Sequence, residues 1–180
     1  MPVLGPGPAS PSTALAVDGF ATHVHHYLSD YIQLADKKAG FVFVATSVFL
    51  AYLESHDLAL LWWKRPSLWL AVDWLACLTV ALLLGSALFA YLTVVPRLGG
   101  GGPGFVYWES IVSHGSAAAY ADRVGALDPA ATTRLTLEHA YALAAVGTAK
   151  YRMLRAAMIL GAAGLLCGLG LLGLAQRAGP

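Results

Sequence analysis

Two short motifs in the chain are rich in positive charge, and the second of them also contains an aromatic ring. The first is Ala35-Asp36-Lys37-Lys38-Ala39, and the second runs from Lys150-Tyr151-Arg152 to Arg155. Together they supply five cations, which can hold a phosphate group through charge-assisted hydrogen bonds. An aromatic ring can stack on a base, at roughly 1–3 kcal/mol. The candidate ligand-binding residues are therefore Asp36, Lys37, Lys38, Trp108, Lys150, Tyr151 and Arg155.

The same cations also fit a simpler role at a membrane surface. Basic side chains beside a bilayer contact anionic lipid headgroups, at about 1 kcal/mol each. The charges alone favour this anchoring role over a ligand pocket, so a ligand pocket has to be supported by further evidence.

Other reactive residue types do not form a catalytic or metal-binding pattern. His23, His25 and His26 lie within four residues, but no carboxylate or cysteine completes a zinc-binding spacing, and a solvated helical face explains them better. Serine occurs without a Gly-x-Ser-x-Gly elbow. Cys77 and Cys167 lie in apolar runs, where cysteine behaves as a small hydrophobic residue. We therefore expect neither an enzyme nor a metal or other cofactor.

The composition indicates a membrane protein. Of the 180 residues, 58% are hydrophobic and only 12% are charged, whereas a soluble domain carries about 25% charged residues. The net charge of +1 gives no global basic surface for nucleic acid.

Three apolar segments are predicted to be transmembrane helices: residues 39–53, 68–95 and 156–175. The first segment spans about 22 Å as a helix, which is short of the hydrocarbon core of about 30 Å. We expect flanking lysines or local thinning of the bilayer to compensate. The predicted fold is an all-α membrane protein with three transmembrane helices and a helical cytoplasmic region, residues 97–155, between the second and third spans.

The segments outside the spans are predicted from helix-start and helix-stop signals. Residues 1–18 are interpreted as a disordered leader, with Asp18 as the N-cap of an amphipathic helix that continues into the first span. Residues 105–127 are predicted to form one helix after a glycine-rich hinge. Asp128-Pro129 predicts the start of the last helix, which continues into the third span, and residues 176–180 form a tail.

The distribution of lysine and arginine predicts the orientation. If the N-terminus and residues 97–155 are cytoplasmic, eight basic residues lie inside and three outside. The opposite orientation reverses these numbers. We therefore predict a multi-pass protein with a cytoplasmic N-terminus and an external C-terminus.

A stripe of small residues follows one face of the third span. Gly161, Gly164 and Gly168 belong to it, and such residues allow helix backbones to approach closely. The stripe serves either packing within one chain or self-association, and the sequence supports both equally. A homo-oligomer is expected on the second interpretation.

The two charged motifs also carry a family resemblance. The Ala-Asp-Lys-Lys-Ala sequence at residues 35–39 resembles the entry into the first span of the Pycsar effector membrane family. The aromatic patch at residues 105–108 and the Lys150-Tyr151-x-x-Leu154 motif are similar to that family as well. The resemblance extends from about His25 to Leu172, and it implies a single membrane domain over residues 19–175.

The resemblance implies a role in antiviral defence. In such two-gene systems a companion pyrimidine cyclase makes cyclic CMP or cyclic UMP after infection. The effector binds the nucleotide and impairs the bacterial inner membrane, which causes abortive infection. The alternative is a small structural or interaction subunit of a membrane complex, without a ligand.

Overall fold

The structure is a computed structural model, and it describes residues 11–56, 71–95, 105 and 108–178. These ranges contain α-helices and no strand, which confirms the all-α prediction for this part of the chain. The helices are α1 (Pro11–Ser55), α2 (Ala71–Val94), α3 (Trp108–Val112), α4 (Ala117–Gly125) and α5 (Pro129–Ala178).

The helices belong to two compact units. The first, here called the polar unit, contains α1 up to Ile32, then α3, α4 and α5 up to Gly147. The second, here called the apolar unit, contains α1 from Gln33, the whole of α2, and α5 from Thr148. Both long helices therefore contribute residues to each unit.

The starts of the two long helices follow from local chemistry. The carboxylate of Asp128 accepts a hydrogen bond from the backbone N–H of Ala131 at 2.6 Å, so Asp128 caps α5 as predicted. Asp18 is not the N-cap of α1, because the helix already begins at Pro11. Proline is favoured at a first helical position and no helix breaker follows it before Asp18. Residues 11–18, assigned to the leader from the sequence, therefore form the first turns of α1.

Residues 105–127 contain two short helices rather than the one predicted. Gly115 has a backbone φ of 80°, which ends the helical path after α3. Ser116 then caps α4, since its hydroxyl accepts a hydrogen bond from the N–H of Ala119 at 3.1 Å. A Gly-Ser pair before a run of alanines is the sequence signal for this break between the two helices.

Two helices in the described part of the chain are long and apolar enough to cross a membrane. They are Ala71–Val94 and Pro129–Leu174, and the most apolar window of each has a mean hydropathy of 2.2. Only 28% of each window is buried, whereas the core helix of a soluble protein is mostly buried. The apolar segment of α1, residues 39–53, is not in either of these helices, so the third span stays a prediction.

The exposed side of α2 is apolar. Large side chains such as Trp74, Leu78, Leu84 and Leu88 are at least half exposed along it. Contiguous apolar surface of this kind is rare on soluble monomers and is usual for a helix that faces lipid. The exposed surface therefore supports a membrane environment for the apolar unit.

Candidate functional site

The apolar unit brings the two charged motifs together through one ion pair. The Lys150 ammonium on α5 donates a hydrogen bond to the Asp36 carboxylate on α1, with 2.6 Å between Nζ and Oδ1. The two residues are 114 positions apart in the chain. This pair, here called the Asp36–Lys150 junction, is the contact that joins the predicted ligand residues of the first motif to those of the second.

Small residues allow the two helices to come close enough for this contact. Ala35 and Ala39 flank Asp36, stand one helical turn apart, and are completely buried. Leu154 packs against both alanines from α5, one turn after Lys150, and the half-buried Tyr151 joins them. The alanines of the Ala-Asp-x-x-Ala pattern thus form the packing surface, a role that was not predicted from the sequence.

The junction is only partly shielded from solvent. The side chain of Lys150 is 15% exposed and that of Asp36 is 34% exposed. An ion pair at such a site is stronger than one on the surface, because the local dielectric constant is lower, but it still loses hydration energy. An anion that arrives from solvent can therefore reach Lys150 and compete with Asp36.

The other predicted cations have side chains that face solvent. Lys37 and Lys38 follow Asp36 on α1 and are exposed, and Arg152 and Arg155 are exposed on α5. These four cations lie close in the sequence to a pair that is itself neutral, so the two helix segments have a positive charge overall. The structure pairs Lys150 with Asp36, whereas the two residues were predicted only as members of a ligand cluster.

The two predicted stacking residues differ in position. Tyr151 packs against the cluster of Ala35, Ala39 and Leu154 and is half-buried. Trp108 is the first residue of α3 and belongs to the polar unit; its side chain lies outside the described part of the structure. A stacking role stays a prediction for both residues.

The predicted glycine stripe packs against other helices of the same chain. A β-carbon built at Gly161 lies 2.8 Å from Oγ of Ser86, and one built at Gly164 lies 2.9 Å from Cδ2 of Leu83. One built at Gly168 collides with the ring of Phe49. The structure thus supports the packing alternative for these three glycines. Self-association through them stays a prediction.

The histidines of the polar unit form a ring cluster. His25 contacts His139 with 5.2 Å between ring centroids and His26 with 5.8 Å. Burial lowers the pKa of His139, and the neighbouring His25 lowers it further. The described residues contain no group of three or more potential ligands that could hold a metal ion. We therefore interpret the cluster as a packing contact between α1 and α5, in which the neutral form of the His139 imidazole is favoured.

A cavity of about 760 Å³ lies beside the start of α5 in the polar unit. Its wall is mostly apolar and includes Leu15, Val17 and Leu137. The Asp18 carboxylate at its edge already accepts a hydrogen bond from the Thr133 hydroxyl at 3.0 Å. Its lining places the carboxylates of Asp18 and Asp128 beside the cation Arg134, so the cavity suits an anionic ligand less well than the Asp36–Lys150 junction.

The family model of the Pycsar effector protein domain matches the chain over residues 20–176. The chain belongs to the Pycsar effector protein family. This match confirms the resemblance predicted from the two charged motifs, and the matched range includes the Asp36–Lys150 junction, α2 and the glycine stripe. Membership supports a Pycsar-type antiphage effector of the membrane. No curated protein and no solved structure matches the chain.

Proposed function

We propose that this Pycsar effector is activated by cyclic CMP or cyclic UMP at the Asp36–Lys150 junction and then impairs the inner membrane. A companion pyrimidine cyclase supplies the nucleotide after infection, and loss of membrane function causes abortive infection. The observation that carries the proposal is the 2.6 Å ion pair, because it joins the two charged motifs of the family in one accessible place.

The charge of the ligand matches the groups around the junction. A cyclic nucleotide has one phosphate charge, which replaces Asp36 as the partner of Lys150. The exposed Lys38 and Arg155 add further donors, and hydrogen bonds to charged groups contribute about 1.5–3 kcal/mol each. Once released, the Asp36 carboxylate accepts a hydrogen bond from an N–H group on the pyrimidine edge. Tyr151 stacks on the base.

The position of the junction explains how binding affects the bilayer. Asp36 lies immediately before the apolar segment 39–53, and Lys150 lies shortly before the segment 156–175. Exchange of the Lys150 partner alters the packing of α1 against α5 at the base of both segments. A ligand shifts a protein between two states only by its different affinities for them. The ion pair provides this difference, since it is intact in one state and broken in the other.

The proposal includes a topology with three spans, a cytoplasmic N-terminus and an external C-terminus in the inner membrane. A reporter that is active only in the periplasm gives signal when fused after Pro180 and none when fused after Gly102. The opposite pattern contradicts this topology and the cytoplasmic position of the two charged motifs.

Binding is tested by titration of the full-length, detergent-solubilised protein with cyclic CMP and cyclic UMP, with cyclic AMP as the negative control. We expect saturable binding of one of the pyrimidine nucleotides. Lys150→Ala and Lys38→Ala each abolish it, whereas Arg152→Ala, which removes an exposed cation from the same helical segment as Lys150, retains it. The double variant Asp36→Asn/Lys150→Met separates a loss of binding from misfolding, because it leaves no unpaired charge at the junction.

Two results contradict the proposal. The first is that neither pyrimidine nucleotide binds to the parent protein. The second is that the Lys38 and Lys150 variants bind the nucleotide as well as the parent does. In that case the basic residues are anchors for anionic lipid, and vesicles with anionic headgroups retain the protein in proportion to the number of cations.

A further inference from the structure

The cavity beside the start of α5, here called the α1–α5 cavity, is formed by two helices of the polar unit. Its lining includes Leu15, Val17 and Asp18 of α1, and residues between Asp128 and Leu137 at the start of α5. Its volume of about 760 Å³ falls within the range of about 300–1,000 Å³ that is usual for small-molecule sites. The cavity therefore has room for a small organic molecule that contacts both helices.

The apolar part of the lining is largely exposed. Leu15 is 76% exposed, Val17 is 42% exposed and Leu137 is 36% exposed. Transfer of such side chains from water to contact with hydrocarbon is favourable in proportion to the area that is covered. Because these three residues come from both α1 and α5, an apolar molecule in the cavity covers side chains of both helices at once.

The two carboxylates of the lining can accept more hydrogen bonds than their neighbours donate. Oδ1 of Asp128 accepts a hydrogen bond from the N–H of Ala131 at 2.6 Å, and Oδ1 of Asp18 accepts one from the Thr133 hydroxyl at 3.0 Å. That hydroxyl has one hydrogen, and the backbone carbonyl of Pro129 competes for it at 3.1 Å. Since an ionised carboxylate can accept about four hydrogen bonds, both acids have acceptor capacity for a further donor.

The other donors of the lining are engaged elsewhere. The Thr132 hydroxyl donates to the backbone carbonyl of Asp128 at 3.1 Å. The guanidinium of Arg134 pairs with Glu138 on its own helix, and its side chain is 81% exposed. Asp128 already offsets the partial positive charge at the start of α5. The charge that complements two carboxylates in this apolar cavity is therefore positive, and it has to arrive with hydrogen-bond donors.

We propose that the α1–α5 cavity binds an organic ammonium ion with an aliphatic or aromatic body. The ammonium group, which has three N–H donors, bonds to the carboxylates of Asp18 and Asp128, and the body covers Leu15, Val17 and Leu137. A ligand that binds the folded protein stabilises it, so this ligand holds the start of α1 against the start of α5. The site shares no residue with the Asp36–Lys150 junction, takes a ligand of opposite charge, and does not depend on the proposed function.

The test titrates the full-length protein in phosphatidylcholine nanodiscs with butylamine, hexylamine and 2-phenylethylamine at neutral pH, where all three are ammonium ions. Each has two controls, in which a hydroxyl or a carboxylate replaces the ammonium group on the same body. Calorimetry is expected to show saturable binding of at least one ammonium ion, at least about tenfold tighter than that of both its controls, because hydrogen bonds between charged groups are the stronger ones.

Two variants locate the binding site. Asp18→Asn removes the charge but keeps a carbonyl oxygen for the Thr133 hydroxyl, and it is expected to weaken binding at least about tenfold. Asp30→Asn is its matched control, since Asp30 is an exposed acid of α1 outside the lining. Leu137→Ser removes part of the apolar wall and is expected to weaken binding about threefold. Its control is Val146→Ser, at an exposed position of α5 outside the lining.

Two results overturn the inference. The first is that none of the three ammonium ions binds more tightly than its hydroxyl and carboxylate controls. The second is that Asp18→Asn and Leu137→Ser bind the ammonium ion as tightly as the parent does; if Asp18→Asn does not fold, as judged by circular dichroism, Leu137→Ser decides alone. Hydrogen exchange is an independent measurement, and saturating ligand is expected to slow it at residues 130–134. Unchanged exchange there would contradict the contact between the ligand and α5.

Discussion

The exposed faces of α2 and of the first half of α5 are made of different side chains. Along α2, leucine, tryptophan and tyrosine are exposed, and the charged or hydroxyl groups are buried. In the polar unit, α5 exposes Arg134 and Glu138, whose side chains are 81% and 58% exposed and form an ion pair at 2.9 Å. Each helix exposes the groups that its surroundings solvate best.

This difference shows that burial alone does not identify a core in this protein. In water, apolar area leaves solvent at a gain of about 25 cal/mol per Å². In lipid that gain disappears between helices, and close packing of small residues takes its place. The apolar unit should therefore respond most strongly to changes in side-chain size, and the polar unit to loss of hydrogen bonds or charge.

The largest effect is expected from added volume at Gly168. Gly168→Leu places carbon atoms on the Phe49 ring and near Thr79, and overpacking costs about 1–3 kcal/mol or more. We expect loss of folded protein from the membrane. Gly170→Leu is the control on the same helix, because no atom lies within 4 Å of its added β-carbon. Thermal unfolding in detergent compares the two, and equal midpoints would contradict the packing role of the stripe.

A smaller loss is expected when one partner of the junction is removed. Lys150→Met leaves the Asp36 carboxylate partly buried and unpaired. A fully buried pair loses about 3–5 kcal/mol in this way, and the exposure of Asp36 reduces the expected loss to roughly 1–2 kcal/mol. Addition of Asp36→Asn should restore part of the stability. Urea unfolding in detergent micelles measures the free energy of unfolding of the two single variants and the double variant, with Arg152→Met as the exposed control. If the losses of the two single variants add up to the loss of the double variant, the ion pair contributes nothing to stability.

These two sites also show what the sequence could reveal. The glycine spacing predicted a close helix contact, because small residues at three- and four-residue steps share one face. The glycine spacing did not predict which residues the stripe contacts, because Ser86, Leu83 and Phe49 are far from the glycines in the chain. The Asp36–Lys150 pair was hidden for the same reason: 114 residues separate its members, and all the cations near Asp36 are equally plausible partners. Local signals such as Asp128-Pro129 predicted a helix start correctly, because a cap needs only its next three residues.

In the polar unit, loss of one helix cap should cost less than either change above. Asp128→Ala removes the acceptor for the N–H of Ala131 and should destabilise the first turn of α5 by about 1 kcal/mol. Hydrogen exchange at residues 130–133 is expected to become faster, with no change in the apolar unit. Asp122→Ala serves as the control, because Asp122 is an exposed acid within α4. Unchanged protection at the start of α5 would show that the cap is dispensable.

The smallest effect concerns pH and the histidine cluster of the polar unit. His139 lies before the apolar segment 156–175, and burial, followed by the His25 ring, holds its pKa below the usual value of 6.5. Because the folded state prefers neutral imidazole, the polar unit keeps its full stability above about pH 6.5 and loses part of it as the pH falls through the lower pKa of the folded protein. His139→Gln cannot be protonated, so its unfolding midpoint should depend less on pH. His23→Gln, at an exposed position of α1, should retain the parental dependence. Unfolding followed by circular dichroism across this pH range distinguishes them, and identical slopes for His139→Gln and the parent would exclude His139 as the source of the pH dependence.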